Sequence, residues 1–371
     1  PTPALCDRVS FRYTRRLTRC CKIRIHHVTA VLLAALVICC LQAMQPMARA
    51  QTESPTTWAV TIILPPRVVA GGPAMLAVLG IDGKLAPGIT VELSRDLRVT
   101  TDPTGRAFFT VPAGGGYLIA KASGSSAAAL IDNGPVEKAA EPMSVPAFVS
   151  VKDRFAICGG PFRGDADANH VSLDDAPALV LAASPECLIA LPAPQSAPGP
   201  AKILVDVPDL QWTGTTTLVS LAFEPPNPPL TVEKKSRLAV DVRGTDQALG
   251  IVVENESPNV LRFQHGDVQR LRTSGGAPNL TAIEVATVRS GDFSFRAHLI
   301  AAPDLPAARR YLNAAAAAAP EDIKSYVEGL SEKLAKHPGD APKVAQAMDK
   351  ILNASMVGDF RTLLAAARAA L

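Results

Sequence analysis

Residues 164–175 (GDADANHVSLDD) concentrate the polar groups best suited to chemistry, with four Asp, one Asn, one Ser and one His in twelve residues. A calcium loop of the EF-hand type needs oxygen ligands at positions 1, 3 and 5, a Gly at position 6 and a carboxylate at position 12. Asp165, Asp167 and Asn169 meet the first requirement, but His170 and Ala176 occupy positions 6 and 12. The pattern favours a solvated polar loop. A weak, irregular calcium site on Asp165, Asp167 and Asn169 is the alternative, and no other cofactor is expected.

Catalytic constellations are not evident elsewhere in the sequence. There is no Gly-x-Ser-x-Gly nucleophile motif, no His-Glu-x-x-His pair and no Cys-x-x-Cys pair. Four histidines lie beyond the first fifty residues, and they are scattered: His170, His265, His298 and His337. We therefore expect no enzymatic activity, although a triad assembled only in space would escape sequence inspection.

Two further patterns could carry binding. The tripeptide Arg163-Gly164-Asp165 could engage an integrin-like receptor, but only from an exposed loop tip. Trp58 and Trp212 could form a sugar-stacking surface, although packing between domains is the commoner role for such tryptophans.

The first fifty residues have the organisation of a secretory signal peptide. Basic residues precede an apolar stretch at residues 28–44, and Ala48-Arg49-Ala50 forms a small-x-small cleavage pattern. Cleavage is expected after Ala50, with an uncleaved anchor helix as the alternative. Because Lys and Arg are concentrated in this leader, the rest of the chain carries a small net negative charge. That charge argues against nucleic-acid binding.

The cysteines agree with export. Five of the seven lie in the leader, which leaves Cys158 and Cys187. Two cysteines in an exported chain predict one disulfide, and two separately buried thiols are the alternative.

Beyond residue 58 the pattern is that of short strands. ITVEL (89–93) and RAFFTV (106–111) alternate apolar and polar residues, and Asp-Pro-Thr-Gly (102–105) suits a type I turn. Further strand-like runs follow across 146–207 and 215–302. Short strands separated by frequent turns predict β-sandwiches.

From residue 303 the period becomes helical. Ile323, Tyr326, Val327, Leu330 and Leu334 share one face, and Pro320 followed by two acidic residues is a helix-start signal. No apolar stretch here is long enough, or free enough of charge, to span a membrane. A small module of three or four helices is expected.

Two segments resemble known families. IDGKLAPGITVEL followed by TTDPTGRAFFTV is similar to the hairpin of bacterial transthyretin-like or carboxypeptidase-regulatory-like repeats. The segment AICGGPFRGDADANHVSLDDAPALVLAASPECLIALPAP resembles an IPT/TIG domain, which has an immunoglobulin-like fold. The expected fold is mainly β, with tandem immunoglobulin-like β-sandwiches followed by a small C-terminal α-helical module. The expected units are a signal peptide (1–50), sandwiches at 58–140, 146–207 and 215–302, and the helical module (303–371).

The resemblance implies an exported, non-catalytic surface or envelope protein that serves as a spacer, adhesion or binding module. Loops 164–170 and 273–279 are the expected binding loops, because loops vary freely on a rigid frame. The expected partners are proteins or carbohydrates at the cell surface, with no nucleic acid and no membrane span in the mature chain. An accessory protein for carbohydrate binding or processing is the alternative, and a partner-assembly role for residues 303–371 is a third hypothesis.

Overall fold

The structure is a computed structural model that describes residues 60–94, 96–133, 142–208, 210–224, 230, 235–300, 302–354 and 358–371. The predicted signal peptide, its cleavage position at Ala50 and Trp58 lie outside the described residues.

The first sandwich is built from two sheets with one core between them. One sheet contains β1 (Thr61–Ile63), β3 (Pro73–Leu79) and β6 (Arg106–Thr110). The other has the order β2-β8-β7-β4-β5, formed by β2 (Arg67–Val69), β8 (Ser125–Asp132), β7 (Gly116–Ala122), β4 (Thr90–Leu93) and β5 (Leu97–Thr100). The alternating residues Val91, Leu93, Ala107 and Phe109 point into the core, as the sequence pattern predicts.

The turn at 102–105 differs from the expected hairpin. The amide of Gly105 donates to the carbonyl of Asp102 at 2.9 Å, so the predicted turn is present. However, β5 and β6, the strands on its two sides, belong to different sheets. The turn therefore passes the chain from one layer of the sandwich to the other. Sequence reasoning predicted the turn correctly, but local periodicity cannot tell an intersheet connection from a hairpin.

The second sandwich contains β9 to β14 and the first half of β15. Its strands are β9 (Phe148–Ser150), β10 (Phe155–Cys158), β11 (His170–Leu173), β12 (Ala176–Ala183), β13 (Cys187–Leu191), β14 (Gly199–Val207) and β15 (Leu210–Phe223). The second half of the polar segment forms β11, and the two-residue turn that follows places Asp174 and Asp175 at positive φ. Positive φ at both residues is the geometry that twisted two-residue hairpins need.

The third sandwich shares β15 with the second. One of its sheets extends from β15 through β16 (Lys235–Arg243), β20 (Leu280–Thr287) and β18 (Leu261–Phe263). The other has the order β19-β17-β21, formed by β19 (Val268–Arg272), β17 (Gly250–Asn255) and β21 (Phe295–Leu299). Residues 210–218 of β15 pair with β14, and residues 220–223 pair with β16. The expected boundary at residue 215 therefore lies inside one continuous strand.

The C-terminal segment forms four helices: α1 (Leu305–Ala317), α2 (Glu321–Lys336), α3 (Ala341–Leu352) and α4 (Asp359–Ala369). Helix α1 begins at a side-chain cap, because the Asp304 carboxylate accepts from the amide of Ala307 at 2.9 Å. Helix α2 begins at Glu321, directly after the predicted Pro320. It buries Val327, Leu330 and Leu334, while Tyr326 of the same predicted face is exposed.

These helices pack against the first sandwich, which is the most distant of the three in sequence. Ile119 of β7 and Leu130 of β8 are buried in the same apolar cluster as the helices. The Tyr311 hydroxyl donates to the carbonyls of Pro66 and Ala128, at 3.1 and 3.2 Å. Arg310 forms an ion pair with Asp132 at 2.6 Å. Burial raises the pKa of Tyr311 well above its usual range, as expected for a phenol removed from water.

The fold is mainly β, with successive β-sandwiches and a C-terminal helical segment, as the sequence predicts. Within the described part of the chain, no helix has the length and apolar character required to cross a membrane.

Candidate functional site

The polar segment 164–175 is closed by its own hydrogen bonds. Ala166–Ala168 form a short 3-10 turn, capped by Asp165, whose side chain accepts from the amide of Asp167 at 3.0 Å. Asn169 is buried, and its Oδ1 accepts from the amide of Arg163 at 2.9 Å. Its Nδ2 donates to the carbonyls of Arg163 and Asp165, at 2.9 and 2.6 Å. The amide of Asn169 therefore holds the loop in one shape.

The same segment joins the first and second sandwiches. Asp167 forms an ion pair with Arg106 of β6, whose side chain is only 6% exposed. Gly164 is buried, and a Cβ at this position would lie 2.5 Å from the carbonyl oxygen of Pro73. Gly164 of the Arg-Gly-Asp tripeptide is therefore part of an interdomain contact, while Arg163 and Asp165 on its two sides are exposed.

The three predicted calcium ligands are all engaged with other groups of the protein. The oxygen of Asn169 accepts from a backbone amide, Asp165 accepts from the amide of Asp167, and the side chain of Asp167 pairs with a guanidinium. No group of three or more His, Cys, Asp or Glu side chains suited to a metal occurs among the described residues. The weak calcium site stays a prediction.

Cys158 and Cys187 face each other on the antiparallel strands β10 and β13, and the structure joins their sulfur atoms. The bond lies within the second sandwich, so it ties the start of that unit to its middle.

Loop 273–279 resembles loop 163–169 in its construction. Asn279 is buried, and its Oδ1 accepts from the amide of Gly275 at 2.9 Å. Its Nδ2 donates to the carbonyls of Thr245 and Gln247, at 3.3 and 2.8 Å. Both loops expected to bind ligands thus contain a buried asparagine amide that satisfies backbone groups and limits loop movement.

A histidine–carboxylate pair joins the second and third sandwiches, and sequence reasoning missed it. His298 Nδ1 of β21 lies 2.6 Å from Asp153 Oδ2. Burial of Asp153 opposes its ionisation, but the hydrogen bonds and charges of His298 and Arg154 together outweigh this effect and lower the pKa of Asp153. Among the described residues no serine or cysteine side chain hydrogen-bonds to His298, so the pair lacks the nucleophile of a triad.

The ring of Trp212 is half-buried. It packs against the core of the second sandwich. A Cβ on Gly214 would lie 2.2 Å from the indole, so the ring covers this glycine. The predicted sugar-stacking role of Trp212 stays a prediction.

A polar cleft lies between the first sandwich and the helical segment. We call it the sandwich–helix cleft, and its volume is about 1060 Å³. Small-molecule sites commonly enclose about 300–1,000 Å³. The cleft is lined by β4, the β7–β8 hairpin, the end of α3 and the start of α4, through Thr90, Glu92, Lys121, Ala122, Ser123, Gly124, Ser125, Ser126, Leu352, Asn353, Gly358, Arg361 and Thr362.

Side chains bridge the two walls of the cleft. Lys121 of β7 donates to Asp359 of α4 at 2.6 Å. The hydroxyls of Ser126 and Thr362 lie 2.8 Å apart. The hairpin places Ser123 and Gly124 at positive φ, a tight reversal that brings its tip against the cleft. No sequence pattern indicates this site, because its two walls are separated by more than two hundred residues.

Neither a protein-family model nor a curated protein sequence matches the chain. Solved structures that match the chain include SGBP-B of the Bacteroides ovatus mixed-linkage glucan utilization locus, in complex with a mixed-linkage heptasaccharide. The two chains are 9% identical, with 63% of this chain and 73% of that chain covered and a TM-score of 0.24. The plexin A4 extracellular region is 11% identical, with 67% and 23% covered and a TM-score of 0.25. This chain thus spans less than a quarter of the plexin chain.

The first four immunoglobulin domains of Dscam1 are 10% identical to this chain, with 63% and 73% covered and a TM-score of 0.19. Scores in this range assign no family.

Proposed function

We propose that this protein is an exported, non-catalytic surface or envelope protein, and that the sandwich–helix cleft is its binding site. The cleft carries the proposal, because it is a large concave polar surface formed where two parts of the fold meet. Within the wider choice of spacer, adhesion or binding module, the cleft favours the binding module.

Export is supported by the disulfide between Cys158 and Cys187, because such bonds persist in oxidising compartments. The leader pattern and the predicted cleavage after Ala50 point to the same compartment.

A non-catalytic role is supported by the chemistry of the cleft walls. No His or Cys is among the lining residues. Glu92 forms an ion pair with Arg98 at 2.8 Å, and Lys121 pairs with Asp359. Both carboxylates are thus engaged by cations of the protein itself.

We also propose that the first and second sandwiches belong to the transthyretin-like and IPT/TIG families. The support is that quoted strands of both resemblances form where expected: Thr90–Leu93 and Arg106–Thr110 in the first, and His170–Leu173 and Cys187–Leu191 in the second. The third sandwich is proposed as immunoglobulin-like on its two-sheet arrangement alone.

A carbohydrate accessory role remains the second candidate. Trp212, one of the two tryptophans predicted to stack on a sugar, packs on the core of the second sandwich. The hydroxyl-rich cleft offers a different basis for sugar binding, through hydrogen bonds to Thr90, Ser125 and Asn353.

The proposal is tested by filling the cleft. Thr90 is an exposed strand residue on the cleft wall, and Thr215 is an exposed strand residue of the second sandwich outside it. We expect the purified full chain to bind members of an array of neutral glycans, acidic glycans and peptides. Thr90→Trp should abolish that binding, whereas Thr215→Trp should retain it. Absence of binding by the wild-type chain, or equal binding by both variants, would overturn the proposal.

A further inference from the structure

Arg361 is the charged group of the cleft that has no ionic partner. Lys121 is paired with Asp359, and Glu92 with Arg98. The Arg361 Nη1 donates to the carbonyl of Leu352, and among the described residues no carboxylate contacts its guanidinium. Its Nε and Nη2 remain for a ligand, and Arg361 is exposed within the cleft. A guanidinium edge of this kind matches the two oxygens of a carboxylate.

The rest of the lining is suited to a ligand rich in hydroxyl groups. Thr90, Ser123, Ser125 and Asn353 present side chains that both donate and accept hydrogen bonds. The apolar side chains among the lining residues are those of Ala122 and Leu352. Hydroxyl and amide groups around one cation that has no ionic partner are a good match for a sugar chain.

An extended peptide would find little free strand edge in this cleft. Strand β4 is paired with β5 along its length and with β7 at Glu92 and Leu93, and β7 is paired with β8 along its length. Only the two residues at the start of β4 therefore remain on the β7 side for an added strand, which is a short edge for a peptide.

We propose that the sandwich–helix cleft binds an acidic oligosaccharide, a chain of sugars carrying carboxylates, with Arg361 as the group that receives one carboxylate. The proposal rests on the proposed function, since it names the ligand class of the same site. The volume of about 1060 Å³ and the open form of the cleft allow several sugar units to lie along it.

Titration calorimetry of the full chain with three probes tests the ligand class. The probes are a galacturonate hexamer, a neutral glucose hexamer and hexaglutamate. We expect the galacturonate hexamer to bind roughly tenfold or more tightly than the glucose hexamer, because a hydrogen bond between charged groups adds that much affinity. Equal affinity for the two saccharides would overturn the acidic assignment, and tighter binding of hexaglutamate would replace it with an acidic peptide.

Variants of Arg361 test whether this side chain is the anchor, the group that receives the ligand's carboxylate. Arg361→Gln should weaken galacturonate binding roughly tenfold, and Arg361→Lys should give an intermediate loss, because Lys keeps the charge without the planar fork. The control is Arg237→Gln, which removes an exposed arginine of β16 that pairs with Glu284. Unchanged binding by Arg361→Gln, with an unchanged unfolding midpoint, would refute the anchor.

Failure of this inference can be distinguished from failure of the proposed function. If Thr90→Trp abolishes binding of a neutral glycan while Arg361→Gln has no effect, the cleft remains the binding site and only the acidic ligand class is lost.

Discussion

The first and second sandwiches meet mainly through side-chain packing, with β3 and β12 paired only at Met75 and Ala183, whereas the second and third are joined by one strand that runs through both. At the first junction Ile63 and Ala77 pack against Leu181 and Ile189, and Gly164 lies against the backbone of Pro73. At the second junction β15 pairs with β14 and then with β16. A smaller apolar cluster surrounds the second junction, formed by Val219, Val242 and Leu249 with partly buried neighbours.

The two kinds of junction should be sensitive to different substitutions. A junction made by packing depends on side-chain volume and on close backbone approach, so one methyl group can disturb it. A junction made by a continuous strand persists as long as the strand's ladder of hydrogen bonds persists. The first junction is therefore the sensitive one, and it also contains the polar segment that most resembles a ligand site in sequence.

The largest effect on stability is expected at the first junction, between the first and second sandwiches. Leu181 is 2% exposed, and Leu181→Ala should lower the free energy of unfolding by about 3 kcal/mol. It should also separate the unfolding of the first sandwich from that of the second, seen as two transitions by calorimetry. Leu249→Ala, at the strand junction, should leave the second and third sandwiches unfolding together. Two transitions in Leu249→Ala and one in Leu181→Ala would reverse the comparison.

The close approach at Gly164 should give the next largest effect. The added Cβ of Gly164→Ala would lie 2.5 Å from a backbone oxygen, so the backbone must move. We expect a loss of about 1–3 kcal/mol in urea unfolding. The control is Gly329→Ala in helix α2, where a Cβ meets nothing within 4 Å. That variant should be more stable by about 0.5–1 kcal/mol. A neutral Gly164→Ala would show that the junction adapts.

Replacing the two partners of the ion pair at this junction should affect stability unequally. Asp167→Asn leaves the buried guanidinium of Arg106 without its carboxylate and should lower stability by about 1–2 kcal/mol. Arg106→Met should be nearly neutral, since the side chain of Asp167 is 72% exposed and returns to water. Urea unfolding of both variants measures the difference. A greater loss in Arg106→Met would mean that the attraction itself stabilises the junction.

The polar contact at the strand junction should give a smaller, pH-dependent effect. The pKa of Asp153 is lowered in the folded protein, so its ionised form stabilises the fold above the ordinary Asp pKa of about 4. This stability should be lost as the pH falls below that value. In Asp153→Asn the free energy of unfolding, measured with urea, should fall less steeply as the pH is lowered. The difference from the unsubstituted protein should be less than about 1 kcal/mol. An unchanged decline would remove Asp153 from the junction's energetics.

Calcium should give the smallest effect. Because Asn169 and Asp167 are already engaged, we expect no shift in the calorimetric midpoint between millimolar calcium and chelator. A ligand that binds only the folded state would raise the midpoint. A rise that disappears in the Asp165→Ala, Asp167→Ala double variant would establish the irregular calcium site.

Much of the local structure is predictable from the sequence. The strands at 90–93 and 106–110 follow from period-two alternation, and helix α2 follows from Pro320 and its acidic first turn. The pairing of Cys158 with Cys187 follows from the export signal and from the number of cysteines left. Each of these inferences depends on neighbours in sequence or on simple counting.

The contacts of the predicted binding loop 164–170 could not be predicted from neighbouring residues alone. Asp165, Asp167 and Asn169 were predicted as possible ligands from their spacing alone. In the fold their partners include Arg163 nearby and Arg106, which is sixty-one residues distant from Asp167. The sequence contains the polar groups, but only the approach of β6 decides that one of them forms an interdomain ion pair.

By itself the sequence determined the order of strands and helices, their buried faces and the composition of a β-rich, disulfide-bearing chain. The tertiary structure alone decided that β15 serves two sandwiches, that the C-terminal helices cover the first sandwich and that a cleft lies between them. The physical reason is the distance in sequence between the residues that make these contacts. Local periodicity determines which face of an element is apolar, but which other face covers it depends on contacts between residues hundreds of positions apart, such as Lys121 and Asp359.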